Sequence, residues 1–377
     1  MRFTHLKLEN WRNFLLVDVP LGRRVFLVGP NASGKSNLLD AVRFLRDVAD
    51  PQGGFQSAIQ TRRGVSQIRS LHARRLPGVS IEIVVDLDDN LPWTYRLEFI
   101  QDNQRRPLVR REFVKHGDDL LLSRPDEEDT ADQNRLTQTH LEQVNANRRF
   151  RPLQEFLSGV RYLHLVPQLV REPDRSVGRS GDPYGGDFLE QLARTPRKTL
   201  NSRLHRIQQA LRVAVPQLKK IELGADPRGV PHLRGLYAHW RPNAGWQGED
   251  QFSDGTLRLL GLLWSLLEGK APLLLEEPEL SLHAAIVRHI PGVMHRLTRG
   301  SARQVFVSTH SSELLSDDGI APEEVLLLVP SKEDTSVSVA SSDREIVALL
   351  AAGVSMADAV LPRAAPARPE QLLLVSS

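Results

Sequence analysis

The chain has 377 residues, 40% hydrophobic and 25% charged, with a formal net charge of +3. That balance belongs to an ordinary globular protein and excludes a mainly disordered, collagen-like or disulfide-stapled chain. At roughly 150 residues per domain it suits two packed units, or one large core with an insertion. The absence of cysteine excludes thiol nucleophiles, Cys-ligated zinc and iron–sulfur clusters. No run reaches about 18 uncharged apolar residues, because Arg258, Glu268 and Lys270 interrupt the most apolar stretch. The first ten residues alternate like a strand and lack a signal peptide's apolar block. A cytoplasmic protein with no membrane partner is the expectation. Arginine supplies 41 of the 49 basic residues. It favours bidentate contacts to phosphate or carboxylate, but net charge alone does not establish a nucleic-acid partner.

In chain order, strands are expected over residues 2–9 and 15–20. A third, over 24–28, is apolar on both faces, the mark of a buried central strand. A Gly/Ser-rich turn then leads into a helix over 37–48. Residues 51–81 contain no acid and carry Arg62, Arg63, Arg69, Arg74 and Arg75. Strand-like runs at 80–87, 94–100 and 107–115 are spaced like a meander. Residues 123–151, with the acidic run Asp126, Glu127, Glu128 and Asp129, are expected to form a partly helical surface insertion. A strand over 160–166 returns to the core, and 171–187 is expected to be a long loop. Helical periodicity covers 188–213. The last third alternates helix 256–267, strand 272–275, helix 281–297, strand 304–308 and strand 324–329, as in a largely parallel sheet with helices on its faces.

Four motifs carry chemistry. Gly29-Pro30-Asn31-Ala32-Ser33-Gly34-Lys35-Ser36 fits the phosphate-binding G-x-x-x-x-G-K-[ST] pattern, between the strand and helix it requires. Its backbone N–H groups and the helix N-terminus suit a β-phosphate. Lys35 is expected to reach the β- and γ-phosphates and Ser36 to ligate Mg²⁺; Asn31, Ala32, Ser33, Gly34 and Asn37 complete the ATP-binding set. Second, the apolar Leu273-Leu274-Leu275 ends in Glu276-Glu277. Glu276 is placed to hold Mg²⁺ through water and Glu277 to act as general base toward the attacking water. Third, Ser308-Thr309-His310-Ser311 ends another apolar strand, where His310 can stabilise transition-state charge. Fourth, Phe252-Ser253-Asp254-Gly255-Thr256-Leu257-Arg258 opens a helix. There Ser253 and Gly255 can bind phosphate or simply cap the helix.

In this order the four motifs resemble the ATP-binding-cassette (ABC) class of P-loop ATPases, in particular the RecF/SMC branch and its OLD-like relatives. Residues 6–14, LKLENWRNF, are similar to the segment preceding the P-loop there; FSDGTLR resembles the signature motif, LLLEEPE the Walker B strand and STHS the switch-histidine loop. The resemblance implies an α/β fold of the ABC-ATPase type. It would have a mostly parallel central sheet flanked by helices, an antiparallel β subdomain and a helical or loop insertion. The corresponding division is 1–100 for an N-terminal ATPase lobe, 101–215 for an insertion and helical region, and 216–377 for a C-terminal ATPase lobe.

The resemblance also implies a homodimer that sandwiches two ATP molecules, with Lys35 of one head and Ser253 of the other on one nucleotide. Arg12 and Asn13 would lie near the phosphates, and Gln168 would be the Q-loop residue beside Mg²⁺, Gln67 being the rival. Three positions depart from the pattern: Glu276 replaces the usual Asp, the signature reads Ser-Asp-Gly-Thr, and His283 stands where many cassettes carry Asp. Two functions fit: an ATP-dependent clamp acting on DNA in repair or anti-phage defence, or a nucleotide sensor controlling a separate nuclease or toxin. No Asp-x-Asp pair follows His310, so a nuclease is expected only from a partner. A transporter subunit fits poorly, given the long stretch between Ser36 and Ser253.

Overall fold

Short apolar strands build the molecule around one six-stranded sheet. The computed structural model describes residues 1–71, 73, 78–89, 91–172, 181–241 and 245–364. In chain order the strands are β1 (Arg2–Trp11), β2 (Phe14–Pro20), β3 (Arg24–Val28), β4 (Val79–Asp86), β5 (Pro92–Gln101), β6 (Pro107–His116) and β7 (Asp119–Arg124). They continue with β8 (Arg161–Leu163), β9 (Leu218–Ala225), β10 (Pro231–Tyr237), β11 (Trp246–Gly248), β12 (Leu273–Glu276), β13 (Val305–Thr309), β14 (Val325–Pro330) and β15 (Thr335–Val339). The central sheet has the order β15-β14-β3-β13-β12-β8 and is parallel except for the β14–β15 hairpin. β2-β1-β4-β5-β6-β7 form an antiparallel sheet, and β11-β10-β9 a small one.

The central sheet separates two cores. Val25, Leu27, Leu274, Phe306, Leu326 and Leu328 face the antiparallel sheet and the helix Lys35–Ala49. Their neighbours Phe26, Val28, Leu273, Leu275, Val305, Val307, Val325 and Leu327 face the helices Arg197–Ala214, Asp254–Leu267 and Ile290–Thr298. Strand side chains alternate between faces, so a strand buried on both must be apolar throughout. The Lys35–Ala49 helix buries Leu38, Leu39, Val42, Leu45 and Val48 at three- and four-residue spacing.

Most sequence-expected elements lie within a few residues of their positions, and the exceptions have physical causes. The helix over 188–213 is two helices, Phe188–Arg194 and Arg197–Ala214, separated at Thr195-Pro196, because proline disfavours helix in the residue before it. The helix over 281–297 divides into Ala284–Val287 and Ile290–Thr298, with Pro291 in the second helix's first turn. The strand over 160–166 shortens to β8. Of the expected loop 171–187, residues 173–180 lie outside the described residues. Among the described residues, no helix is long and apolar enough to cross a membrane.

The segment 123–151 is a partly helical surface stretch, as expected, but a few buried side chains anchor it to the core. Arg124 is fully buried and pairs with Glu112 at 3.1 Å and Asp129 at 2.8 Å. Leu141 and Phe150 join the core. Asp126 and Asp129 form a reciprocal cap at the start of the short helix Glu127–Ala131. The Arg124 hydrogen bonds hold the Asp129 carboxyl far below its ordinary value, whereas burial pushes Glu112 upward.

Burial also raises the neighbouring Glu142, which accepts the Phe55 N–H, to about 7. The folded chain therefore retains a proton that the unfolded chain releases near pH 4.3, so stability declines as pH rises from about 4.3 to 7. Glu142→Gln should flatten that decline and raise the urea midpoint relative to the native chain at pH 8 but not at pH 4. Equal midpoint differences at both pH values would show that Glu142 does not retain its proton.

Candidate active site

The expected phosphate loop connects β3 to the Lys35–Ala49 helix. Gly34 has φ +97°, and a Cβ there would lie 2.3 Å from Asn13 Nδ2, so a side chain has neither the conformation nor the space. Asn13 secures the loop: its Nδ2 donates to Ser33 O at 2.9 Å and Thr335 Oγ1 at 2.8 Å, and its Oδ1 accepts from Asn37 Nδ2 at 2.7 Å. Lys35 folds back on the loop, its Nζ donating to Gly29 O at 2.8 Å and Pro30 O at 3.0 Å. Burial lowers the Lys35 pKa, while Glu277, Glu279 and Glu276 oppose that shift. The Ser33 hydroxyl is buried without a hydrogen-bond partner.

Parallel pairing places the acidic strand end two strands away. Glu276 accepts from Ser36 Oγ and, through its other oxygen, from Tyr162 OH. Burial and the Glu276 charge raise the Tyr162 pKa, so the phenol keeps its proton. Glu277 adopts a left-handed φ of +43°, and its N–H donates to Ser308 O at 3.1 Å. His310 Nδ1 donates to Glu277 Oε1 at 3.2 Å. Arg12 and Ala32, at +53° and +63°, share this left-handed region, which costs of order 1–3 kcal/mol per non-glycine residue and concentrates at functional sites.

Two clefts flank the loop. One, of about 570 Å³, is lined by Ser36, Asn37, Glu276, Arg12, Arg43 and Tyr162, among others. The other, of about 460 Å³, lies between Asn13, Ala32, Asn37 and the β14–β15 turn. Asn31 is exposed at the loop tip. Gln67 lines both clefts; Gln168, exposed in the turn Pro167–Val170, lines neither. Ser253 and Gly255 also line neither. Ser253 caps the Asp254–Leu267 helix by accepting from Thr256 N at 3.2 Å, and Gly255 lies against Ser281 O, where a methyl would not fit. Asp254 pairs with Arg171 at 2.6 Å. His283 accepts from Ala285 N and caps the Ala284–Val287 turn.

Several site residues escaped the sequence reading. Asp40 pairs with Arg12 at 3.0 Å and Arg62 at 2.8 Å. Burial opposes its ionisation, but the two guanidiniums outweigh it and lower the pKa. Arg62, one of the arginines of the acid-free stretch, is buried and also pairs with Asp47 at 2.9 Å; Arg63 and Arg69 are exposed, and Arg74 and Arg75 lie outside the described residues. Glu279 is buried, accepts from Thr309 Oγ1, and has one oxygen without a partner. Burial raises its pKa. The Glu276-Glu277-Pro278-Glu279 run was a signal for it.

The loop, the acidic strand and the sheet order define a P-loop fold of the ABC-ATPase type. The chain belongs to the family described as "AAA domain, putative AbiEii toxin, Type IV TA system", whose model matches residues 24–316. No curated protein matches it. Among solved structures, the SMC head domain from Thermotoga maritima matches with TM-score 0.50 at 14% identity, over 90% of this chain and 99% of that one. An Smc head bound to the C-winged helix domain of ScpA matches with TM-score 0.55 at 12% identity, over 90% and 98%. The Smc head with an extended coiled coil, bound to the C-terminal domain of ScpA derived from Pyrococcus furiosus, gives 0.52 at 12% identity, over 93% and 99%. These likenesses are of fold.

Thr309→Val would remove the hydroxyl donor to buried Glu279. It should lower stability by about 1–3 kcal/mol, measured by denaturant unfolding, and adding Glu279→Gln should recover part of the loss. No recovery in the double variant would place the cost elsewhere than on the unpaired carboxyl.

Proposed function

We propose that the chain binds MgATP on the Gly29–Ser36 loop and hydrolyses it, with Glu277 as general base and His310 as its orienting partner. The observation supporting this reading is the 3.2 Å His310–Glu277 contact. It forms just beyond the ends of adjacent parallel strands, and the next strand, β3, leads into the phosphate loop. Lys35 would exchange the Gly29 and Pro30 carbonyls for β- and γ-phosphate oxygens. Ser33 would gain the partner it lacks. The second cleft offers space for base and ribose. Glu277 would take a proton from water as its oxygen attacks the terminal phosphorus, releasing ADP and phosphate. Either ring nitrogen of His310 can carry a proton, so the side chain can orient Glu277 or donate to a phosphate oxygen.

Ser36 and Glu276 fit Mg²⁺: both offer hard oxygen donors and they are already in contact. Among the described residues no three His, Asp or Glu side chains form a metal cluster, so phosphate and water would complete the shell. Bound there, the ion would neutralise charge on the β- and γ-phosphates.

Ser253 and Gly255 line neither cleft beside their own loop, which supports their closing over a second copy's nucleotide in an ATP-bridged homodimer. Such a dimer would act on DNA, in repair or in defence against foreign DNA. A second reading is favoured by the family description, which names a toxin of a toxin–antitoxin system: a nucleotide-sensing ATPase that governs a separate nuclease or toxin. ATP turnover with and without DNA, alongside mass in solution, separates them, since only the first expects DNA to change turnover.

Lys35→Ala should abolish ATP binding. Glu277→Gln should keep binding, lose turnover by about 100-fold or more, and accumulate as an ATP-bound dimer in light scattering. Hydrolysis by Glu277→Gln at the unmodified rate would refute the base assignment.

A further inference from the structure

No residue of the β9–β11 strands lines either cleft beside the phosphate loop, yet one face of this sheet is unusual. Strand alternation turns Ile221 and Leu233 inward and puts Lys220, Glu222, Arg234, Leu236 and Trp246 on the opposite face. Leu236 lies between Lys220 and Trp246 in register. Lys220 Nζ is 5.6 Å, and the Arg234 guanidinium 5.7 Å, from the Trp246 ring centre. In the β10–β11 connection, Trp240 is 79% exposed. The Arg241 guanidinium is 4.4 Å from its ring centre, and His239 stacks on it at 5.6 Å and 27°. The connection closes where Tyr237 N donates to Gly245 O at 2.8 Å. Two carboxylates border the area: Glu222, held by Lys220 and Arg234, and Asp250, next to Gly248.

Leaving a ring this large in water forgoes a large apolar burial, so its exposure calls for an occupant. Each tryptophan here has cations as neighbours, and Leu236, beside Trp246, is the only aliphatic side chain on the described strands of this face. A protein partner would be met by an anchor in a dry, well-packed surround. Flat rings interleaved with Lys and Arg instead match a strand of bases joined by phosphates, the rings stacking on base faces and the cations meeting phosphates. In a duplex those base faces are covered by neighbouring pairs.

We propose that the outer face of β9–β11, together with Trp240 and Arg241, binds an unpaired nucleic-acid strand. The inference stands on this sheet and does not require that the chain hydrolyse ATP. DNA and RNA share the recognised chemistry, base faces and phosphates.

The test is fluorescence anisotropy of the full chain with labelled oligothymidylate, oligouridylate and a duplex of equal length, at low and moderate salt. The native chain should bind one or both single strands more tightly than the duplex, and the better of the two identifies the sugar. Binding should weaken as salt rises. Trp240→Ala and Trp246→Ala should each weaken it about tenfold, whereas Trp240→Phe and Trp246→Phe should keep most of it. Lys220→Glu with Arg234→Glu should weaken binding and flatten its salt dependence. Circular dichroism and the unfolding midpoint must match the native chain for any variant compared. No single-strand binding, a preference for duplex, or unchanged affinity in the Trp240→Ala/Trp246→Ala double variant would overturn the proposal. So would a result in which these variants lose a protein partner while oligonucleotide binding is intact.

Discussion

The molecule depends on in-register parallel pairing of β3, β13 and β12. Leu27 lies opposite Ser308 and Val28 opposite Thr309, while Glu276 also lies opposite Ser308. The three strands therefore stop at nearly one level, and the residues that follow, Gly29, Glu277 and His310, emerge together outside their carboxyl ends. Open α/β sheets place ligands in that location. The two cores enforce the register: a one-residue slip would exchange Val25 and Leu27 for Phe26 and Val28 across the sheet, turning each side chain to the wrong face. Hydrophobic packing remote from the phosphate loop thus sets the spacing of the polar groups beside it.

Electrostatics around the loop follow from shared partners. Asp40 serves both Arg12 and Arg62, so the cleft beside Ser36 contains a carboxylate already committed to two guanidiniums. Lys35 lies where burial and three nearby glutamates act in opposite directions. The same logic governs Arg124, whose two carboxylates have no exposure. Breaking such a buried set from one side strands a charge, which costs far more than the intact set contributes.

The central fold was legible because its strands are short, apolar and bounded by turn residues. The phosphate loop was legible because all its groups are contiguous. Residues 123–151 were legible as a partly helical surface stretch but not in their anchors, because polarity counted by residue does not distinguish a solvated acid such as Glu128 from Asp129 facing a buried arginine. The pairing of Arg62 was illegible for the same reason: its partners, Asp40 and Asp47, are 22 and 15 positions away in the chain. The small sheet was missed because Leu218–Ala225 and Pro231–Tyr237 mix glycine, proline and charge with their apolar positions. Gln168 and Gln67 could not be separated by motif order, since only folding shows that Gln67 lines the clefts beside Ser36 and Asn37.

One carboxamide joins distant parts of the chain. Asn13, after the first strand, holds Ser33 of the phosphate loop and the Thr335 hydroxyl through its side chain, and its backbone carbonyl accepts the Thr335 N–H at 2.9 Å. The final hairpin and the loop are thereby bridged by one residue, whose side chain bonds to both. Exchanging Asn13 for a residue without a carboxamide would therefore release the loop's backbone and the last hairpin together.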